Sequence, residues 1–148
     1  MSPPALVETL EPGDELRPLV RVPTREQCVR YAGAANDFSP IHFDDAHARR
    51  RGFDQIIVHG LLKAAFLGDL LETWSAPQAG WVQRLSTQYR GTDVPGQPLI
   101  CRARVAKTGV TDGHRRVDLE LWIDNARGET TTRGTATVVF EPKAEEQR

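Results

Sequence analysis

The sequence predicts an α+β chain in which one long apolar helix is wrapped by a curved antiparallel β-sheet, and three observations carry that expectation. In "GLLKAAFLGDLLETW" the apolar side chains, from Leu61 to Trp74, cover much more than one helical stripe, so this helix needs other structure around it. The second half of the chain alternates apolar and polar residues with period two, as half-buried strands do. Helical patterns gather in the first half and strand patterns in the second, the segregated order of an α+β arrangement.

In "ELRPLVRV" a first strand is expected, and Pro18 pushes it toward an edge or a loop because proline has no amide hydrogen to donate. "TREQCVRYAGAA" follows as a short helix: Thr24 and Gln27 make a capping-box pair, and Cys28, Tyr31, Ala32 and Ala35 recur at helical spacing on one face. After Pro40, Asp44 and Asp45 stand where a second short helix begins, Arg49, Arg50 and Arg51 where it ends, and Gly52 just beyond. A solvated, dipole-matched helix end explains those arginines better than phosphate binding does. "IIVHGLL" reads as a buried strand running into the long helix through His59 and Gly60. Next, Trp81, Leu85 and Tyr89 share one strand face, and Leu99, Cys101, Ala103 and Val105 alternate with arginines in the following strand. Val117, Leu119, Leu121 and Ile123 repeat that pattern, and "TTTRGTATVVF" adds a β-branched run, with turns at "TDGH" and "DNARG".

A chain of 148 residues, 39% hydrophobic and 26% charged, suits one domain around one core, spanning about 15–140, with a polar tail from 141 to 148 expected to fray. The formal net charge of −1 and the lack of a dense basic run argue against nucleic acid or an anionic membrane as partner. A basic-then-apolar leader is not recognisable, and His59, Lys63 and Asp69 break the most apolar segment, so a cytoplasmic location is expected. Cys28 and Cys101 lack CxxC spacing, which points to buried free thiols in place of a redox or zinc motif.

The chemistry concentrates in "NDFSPIHFDD". Proline fixes its own φ and biases Ser39 away from the α region, so Asp37 and His42 are expected on an extended segment just past a helix end, where their side chains can converge. A carboxylate and an imidazole on such a loop can hold a water between them and exchange a proton with it near neutral pH, worth roughly 10²- to 10⁴-fold in rate. Taken singly, an aspartate before a helix is more often a cap, and a lone histidine more often a core or surface residue. A metal site from Asp37, His42, Asp44 and His47 is disfavoured, because the two histidines are five apart across a loop-to-helix junction. Gly60 opens the long helix, whose free amides and positive dipole end can hold an oxyanion; relief of backbone strain is the plainer account of the same glycine.

The order Asp37, Pro40, His42, then "VHG" opening an apolar helix, resembles the MaoC-like hydratase and dehydratase family, which includes the (R)-specific enoyl-CoA hydratases, over roughly residues 15 to 140. The family motif looks like "GDxNPIHxD" where this chain has "NDFSPIHFD", and "YRGTDVPGQPL" is similar to the family's "FRxPVxPGDxL". The resemblance implies a hotdog fold, usually dimeric, with the acyl-thioester tunnel near the subunit interface. By position it implies that Asp37 and His42 deliver a hydroxyl to C3 and a proton to C2 of a trans-2-enoyl thioester, or run the reverse dehydration. It implies further that the backbone N–H of Gly60 steadies the thioester oxygen, a donor worth about 3 kcal/mol in such a hole, with Ser39 and His59 in substrate-binding positions. No metal or redox cofactor is implied; coenzyme A or acyl carrier protein is the substrate's handle, and the partner is a second copy or a second hotdog subunit. Two departures stand out: Asn36 replaces the family's glycine, and tolerates left-handed backbone well, and Ser39 replaces its asparagine.

Rival readings are a hotdog thioesterase using Asp69 or Glu72 as the water-activating carboxylate, and a catalytically silent partner subunit. Trp74, Trp81, Trp122 and Phe66 are candidates for a tunnel lining, with plain core the commoner role. Arg84, Arg90, Arg102 and Arg104 are candidates for coenzyme phosphates, with solvated strand faces the simpler account.

Overall fold

The computed structural model describes residues 5–142, so the outermost part of the tail expected to fray lies outside the described residues. Five strands, β1 (Leu19–Arg21), β2 (Gly80–Tyr89), β3 (Leu99–Thr111), β4 (His114–Asp124) and β5 (Thr130–Phe140), form one antiparallel sheet in the order β1-β3-β4-β5-β2. Three helices precede most of it: α1 (Arg25–Ala35), α2 (Asp45–Arg50) and α3 (Gly60–Ser75).

The alternation read from the sequence decides the inner face. Leu99, Cys101, Ala103 and Val105 on β3 and Val117, Leu119, Leu121 and Ile123 on β4 are all buried, and they meet in register as Ala103 opposite Leu121 and Val105 opposite Leu119. Thr111 pairs with His114, leaving Asp112 and Gly113 as a two-residue turn with φ of 51° and 79°, the left-handed pair that tight hairpins require. Glu15 makes only an isolated bridge to Arg104 before the chain resumes pairing at Leu19, so Pro18 interrupts an edge strand as expected.

β2 departs from expectation. Its register against β5 runs Val82 opposite Val138 and then Arg84 opposite Thr137, so Gln83 is a bulge residue. The extra residue changes the phase of the alternation: Val82 and Leu85 pack on the core, whereas Trp81 faces outward with its ring edge toward His114. Trp81 and Leu85 therefore do not share a face.

In α3 the buried side chains Leu62, Lys63, Phe66, Leu67, Leu70, Leu71 and Trp74 recur at steps of three and four, and this stripe lies on the sheet. Leu61, at 59% exposure, and Asp69 and Glu72 point the other way, so within one chain the sheet covers one side of the helix and not its whole circumference. Trp74 and Phe66 are core, Trp74 edge-on to Phe140; Trp122 instead stacks with Arg104, on the sheet's outer face with Trp81. Arg102 and Arg104 lie on the outer strand face expected for them, where Arg102 pairs with Asp124 and Arg104 with Glu15. Cys28 and Cys101 are free and buried, and burial pushes the Cys101 thiol up to about 12. None of the described helices is long and apolar enough to cross a membrane.

Candidate active site

Helix α1 begins where Thr24 Oγ1 accepts the Gln27 N–H at 3.0 Å and ends at Asn36, which is left-handed (φ 52°, ψ 35°). Ala35, expected on the buried face, is exposed in its last turn. The Asn36 conformation reverses the chain, and the Asp37 N–H closes back onto the Ala32 carbonyl at 2.9 Å. Ser39 then donates its N–H to Asp37 Oδ1 at 3.3 Å, holding the carboxylate against its own loop. Pro40–His42 is a 3-10 turn, not the extended segment expected, because the Pro40 carbonyl accepts from both Phe43 and Asp44. Asp44 caps α2 through the His47 N–H at 3.0 Å.

The turn buries His42 to 7% exposure, with Nδ1 2.8 Å from the Ile57 carbonyl. A carbonyl only accepts, so Nδ1 carries the hydrogen, and the neutral ring is left with a lone pair on Nε2. That nitrogen lies 3.9 Å from Asp37 Oδ2, beyond a direct hydrogen bond and close enough for both atoms to contact one water.

Residues 56–59 are buried, but they are not the strand expected. Their amides go to groups outside any sheet: Ile56 to Asp45 Oδ1 at 3.0 Å, Ile57 to the Ile41 carbonyl at 3.0 Å and Val58 to the Asp93 carbonyl at 2.8 Å. His59, 1% exposed, stacks on His42 with ring centroids 3.7 Å apart and meets Tyr31 edge-on at 5.1 Å. Its Nε2 bonds the Asp37 carbonyl at 3.3 Å, so its ring braces the Asp37 loop as well as His42. Burial, then the neighbouring His42, pushes the His59 pKa down, against a smaller upward pull from Asp37.

Gly60 is the first residue of α3, so its amide has no intrahelical acceptor and sits at the positive end of the helix dipole. A Cβ there would stand 2.9 Å from the Tyr89 ring, which roofs this helix start. Burial, then Tyr89 and Asp37, raises the Tyr31 pKa, which places the two tyrosines and the acid in one electrostatic neighbourhood. Ser39 lines a different depression of about 490 Å³ with Ile41, His47, Arg50, Arg51 and Phe53.

Donor atoms of Asp37, His42 and His59 lie within 4.8 Å of one another. The two imidazole planes are only 20° apart, so their in-plane lone pairs run side by side and do not converge on an ion at about 2.0–2.1 Å. Asp44 is occupied as a helix cap. This arrangement suits proton transfer better than metal binding.

The sequence reading missed Lys63 and Asp93. Lys63 Nζ donates to Asp93 Oδ2 at 2.8 Å and to the Gly91 carbonyl at 2.9 Å, and Thr131 Oγ1 donates to the same Asp93 oxygen at 2.6 Å. The available signal was spacing, since Lys63 falls on the stripe of Phe66, Leu67 and Leu70.

A family model described as a MaoC like domain matches residues 8–124. The mitochondrial 3-hydroxyacyl-[acyl-carrier-protein] dehydratase of Arabidopsis thaliana is 43% identical over 91 residues, 62% of this chain and 53% of that protein. The (R)-specific enoyl-CoA hydratase of Aeromonas caviae is 36% identical over 64 residues, 43% of this chain and 47% of that protein. The chain thus matches about half the length of these curated relatives. Among solved structures, the (R)-hydratase of A. caviae superposes with a TM-score of 0.80 at 23% identity, covering 91% of this chain and 99% of that one. The ChsH1-ChsH2 complex of Mycobacterium tuberculosis gives 0.76 at 18% identity, covering 88% and 98%. The fold is a hotdog, with α3 as its central helix.

Proposed function

The chain belongs to the MaoC-like domain family, and from that membership together with the facing of Asp37 and His42 we propose that it hydrates a trans-2-enoyl thioester to the (R)-3-hydroxyacyl thioester, or runs the reverse dehydration. The observation that carries the reading is the orientation of His42: its Nδ1–H is held by Ile57, and its basic Nε2 is turned toward Asp37. A water contacting both groups gives a proton to His42 Nε2 as its oxygen adds to C3. The C2–C3 π electrons move toward the carbonyl, and the thioester oxygen gains charge beside the Gly60 amide. One proton then returns to C2 from the Asp37–His42 pair as the carbonyl reforms, so water is added overall and nothing is oxidised. Conjugation with the thioester makes C3 electrophilic, and the reading requires no cofactor; coenzyme A or acyl carrier protein serves as handle.

A thioesterase reading has less support in this chain. Asp69 is bound by Arg21, and nine residues of helix put it about 13 Å along the axis from Gly60. Assembly belongs to the proposal too. β2 is an edge strand, and the outer side of α3 bears Leu61, so a second hotdog chain is expected there; structural neighbours include a complex of two different subunits. Two buried free thiols suit a reducing compartment such as the cytoplasm.

The test is a hydration assay with crotonyl-CoA and longer enoyl-CoA substrates, with the chirality of the product determined, alongside sedimentation of the purified chain. An R product from a homodimer is expected. An S product, release of free thiol, or no turnover at any chain length, alone or with a second hotdog subunit, would overturn the reading, whereas activity gained only with that subunit would show a heterodimer requirement.

A further inference from the structure

Lys63 and Asp93 are 2% and 4% exposed, and they form an ion pair inside the protein one helical turn from Gly60. Removing two charges from water carries a heavy hydration penalty, and well-packed apolar replacements of such pairs are often neutral or stabilising. Stability alone therefore does not account for this pair. What it holds is position. Asp93 bonds the segment before α3 through its main-chain carbonyl, which takes the Val58 N–H at 2.8 Å, and bonds α3 itself through its carboxylate and Lys63. Val58 follows Ile57, whose carbonyl fixes the hydrogen on His42 Nδ1, and precedes His59, which backs His42 and leads into Gly60. Because residues 56–59 belong to no sheet, these few bonds set where they lie. The Lys63 ammonium also stands 5.8 Å from the centre of the Tyr89 ring that covers Gly60.

We propose that Lys63 and Asp93 are positioning residues for the chemistry of this site: their ion pair clamps the loop between β2 and β3 onto the first turn of α3, and so fixes both the imidazole of His42 and the amide of Gly60. The proposal rests on the hydratase reading and adds to it two residues that touch neither water nor substrate.

The experiment compares wild type with Lys63→Met/Asp93→Asn, which removes both charges together and strands neither, and with Thr131→Val, which removes only the hydroxyl donating to Asp93. Readouts are kcat and KM on an enoyl-CoA that wild type turns over, the melting temperature, and the ¹⁵N signature of the His42 tautomer. The double variant is expected to keep a near-native melting temperature and KM while kcat falls by about 10- to 100-fold, the scale of an ångström-level misplacement. Thr131→Val is expected to shift kcat in the same direction by less, and both should weaken the Nδ1–H population of His42. A folded double variant with wild-type kcat and an unchanged His42 signature would overturn the proposal while leaving the hydratase reading intact. If the double variant does not fold, Thr131→Val decides: unchanged kcat and tautomer overturn it. Absence of turnover by wild type defeats both readings at once.

Discussion

The imidazoles of His42 and His59 lie face to face, 3.7 Å between centroids and 20° between planes, yet they make opposite hydrogen-bond commitments. His42 gives its Nδ1 hydrogen to Ile57, and His59 gives its Nε2 hydrogen to Asp37. Two cations at that separation repel, and burial already disfavours charge on His59, so one ring is kept neutral behind the one free to exchange protons.

That division has a pH signature. The folded-state pKa of His59 is depressed, so the unfolded chain, with histidine near 6.5, binds the extra proton first as pH falls. The contribution to stability is complete above about 6.5 and is lost below it. His59→Phe keeps a ring against His42 and should flatten the fall in melting temperature between about pH 7 and pH 5. Identical slopes for the two proteins would assign that acid sensitivity elsewhere.

Asp37→Asn and His42→Gln should each lower kcat by about 10²- to 10⁴-fold with little change in melting temperature, because each removes one member of a proton-transfer pair. The double variant should lose little more than the worse single one, since the two act on the same water. Steady-state kinetics beside thermal denaturation checks both points; full additivity would mean the groups work independently.

Gly60→Ala sets a methyl 2.9 Å from the Tyr89 ring. That ring is 43% exposed and able to swing aside, so the protein should fold while the roof over the helix start shifts and kcat drops about 10- to 100-fold. Adding Tyr89→Ala should restore part of the loss. Further decline in the double variant would show that Tyr89 contributes more than space.

At Gly134 the obstacle is backbone. A Cβ there would stand 2.4 Å from the Ser86 carbonyl oxygen, inside the β2–β5 ladder, where relief requires moving a strand. Gly134→Ala should cost about 1–3 kcal/mol in urea unfolding. Gly109→Ala, with nothing within 4 Å, should stay within about 0.5 kcal/mol of wild type.

The parts legible in the sequence are those whose signal is local and periodic. Alternation placed Leu99 to Val105 and Val117 to Ile123 on the inner face, and the capping pair with helical spacing placed α1 before Asn36. Features set by distant partners were not legible. Nothing near Gln83 announces a bulge, because it arises from how β2 meets β5. Lys63 looked like an interruption of an apolar run until Asp93, thirty residues later, supplied its counterion. "IIVHGLL" has the composition of a strand, but its amides are claimed by Asp45, Ile41 and Asp93 before a sheet can form.

The bulge at Gln83 divides β2 into two segments of opposite parity, even-numbered residues facing inward before it and odd-numbered ones after it. The Gly80 end abuts Ser75 and Phe140 at the foot of α3, and the Tyr89 end overlies Gly60. Loss of that single codon would set Val82 directly before Arg84 in unbroken alternation, leaving Val82 inward, Trp81 outward and Tyr89 where it is. A lineage can therefore gain or lose that residue as a local kink in the strand, with the side chains at both ends keeping the faces they have.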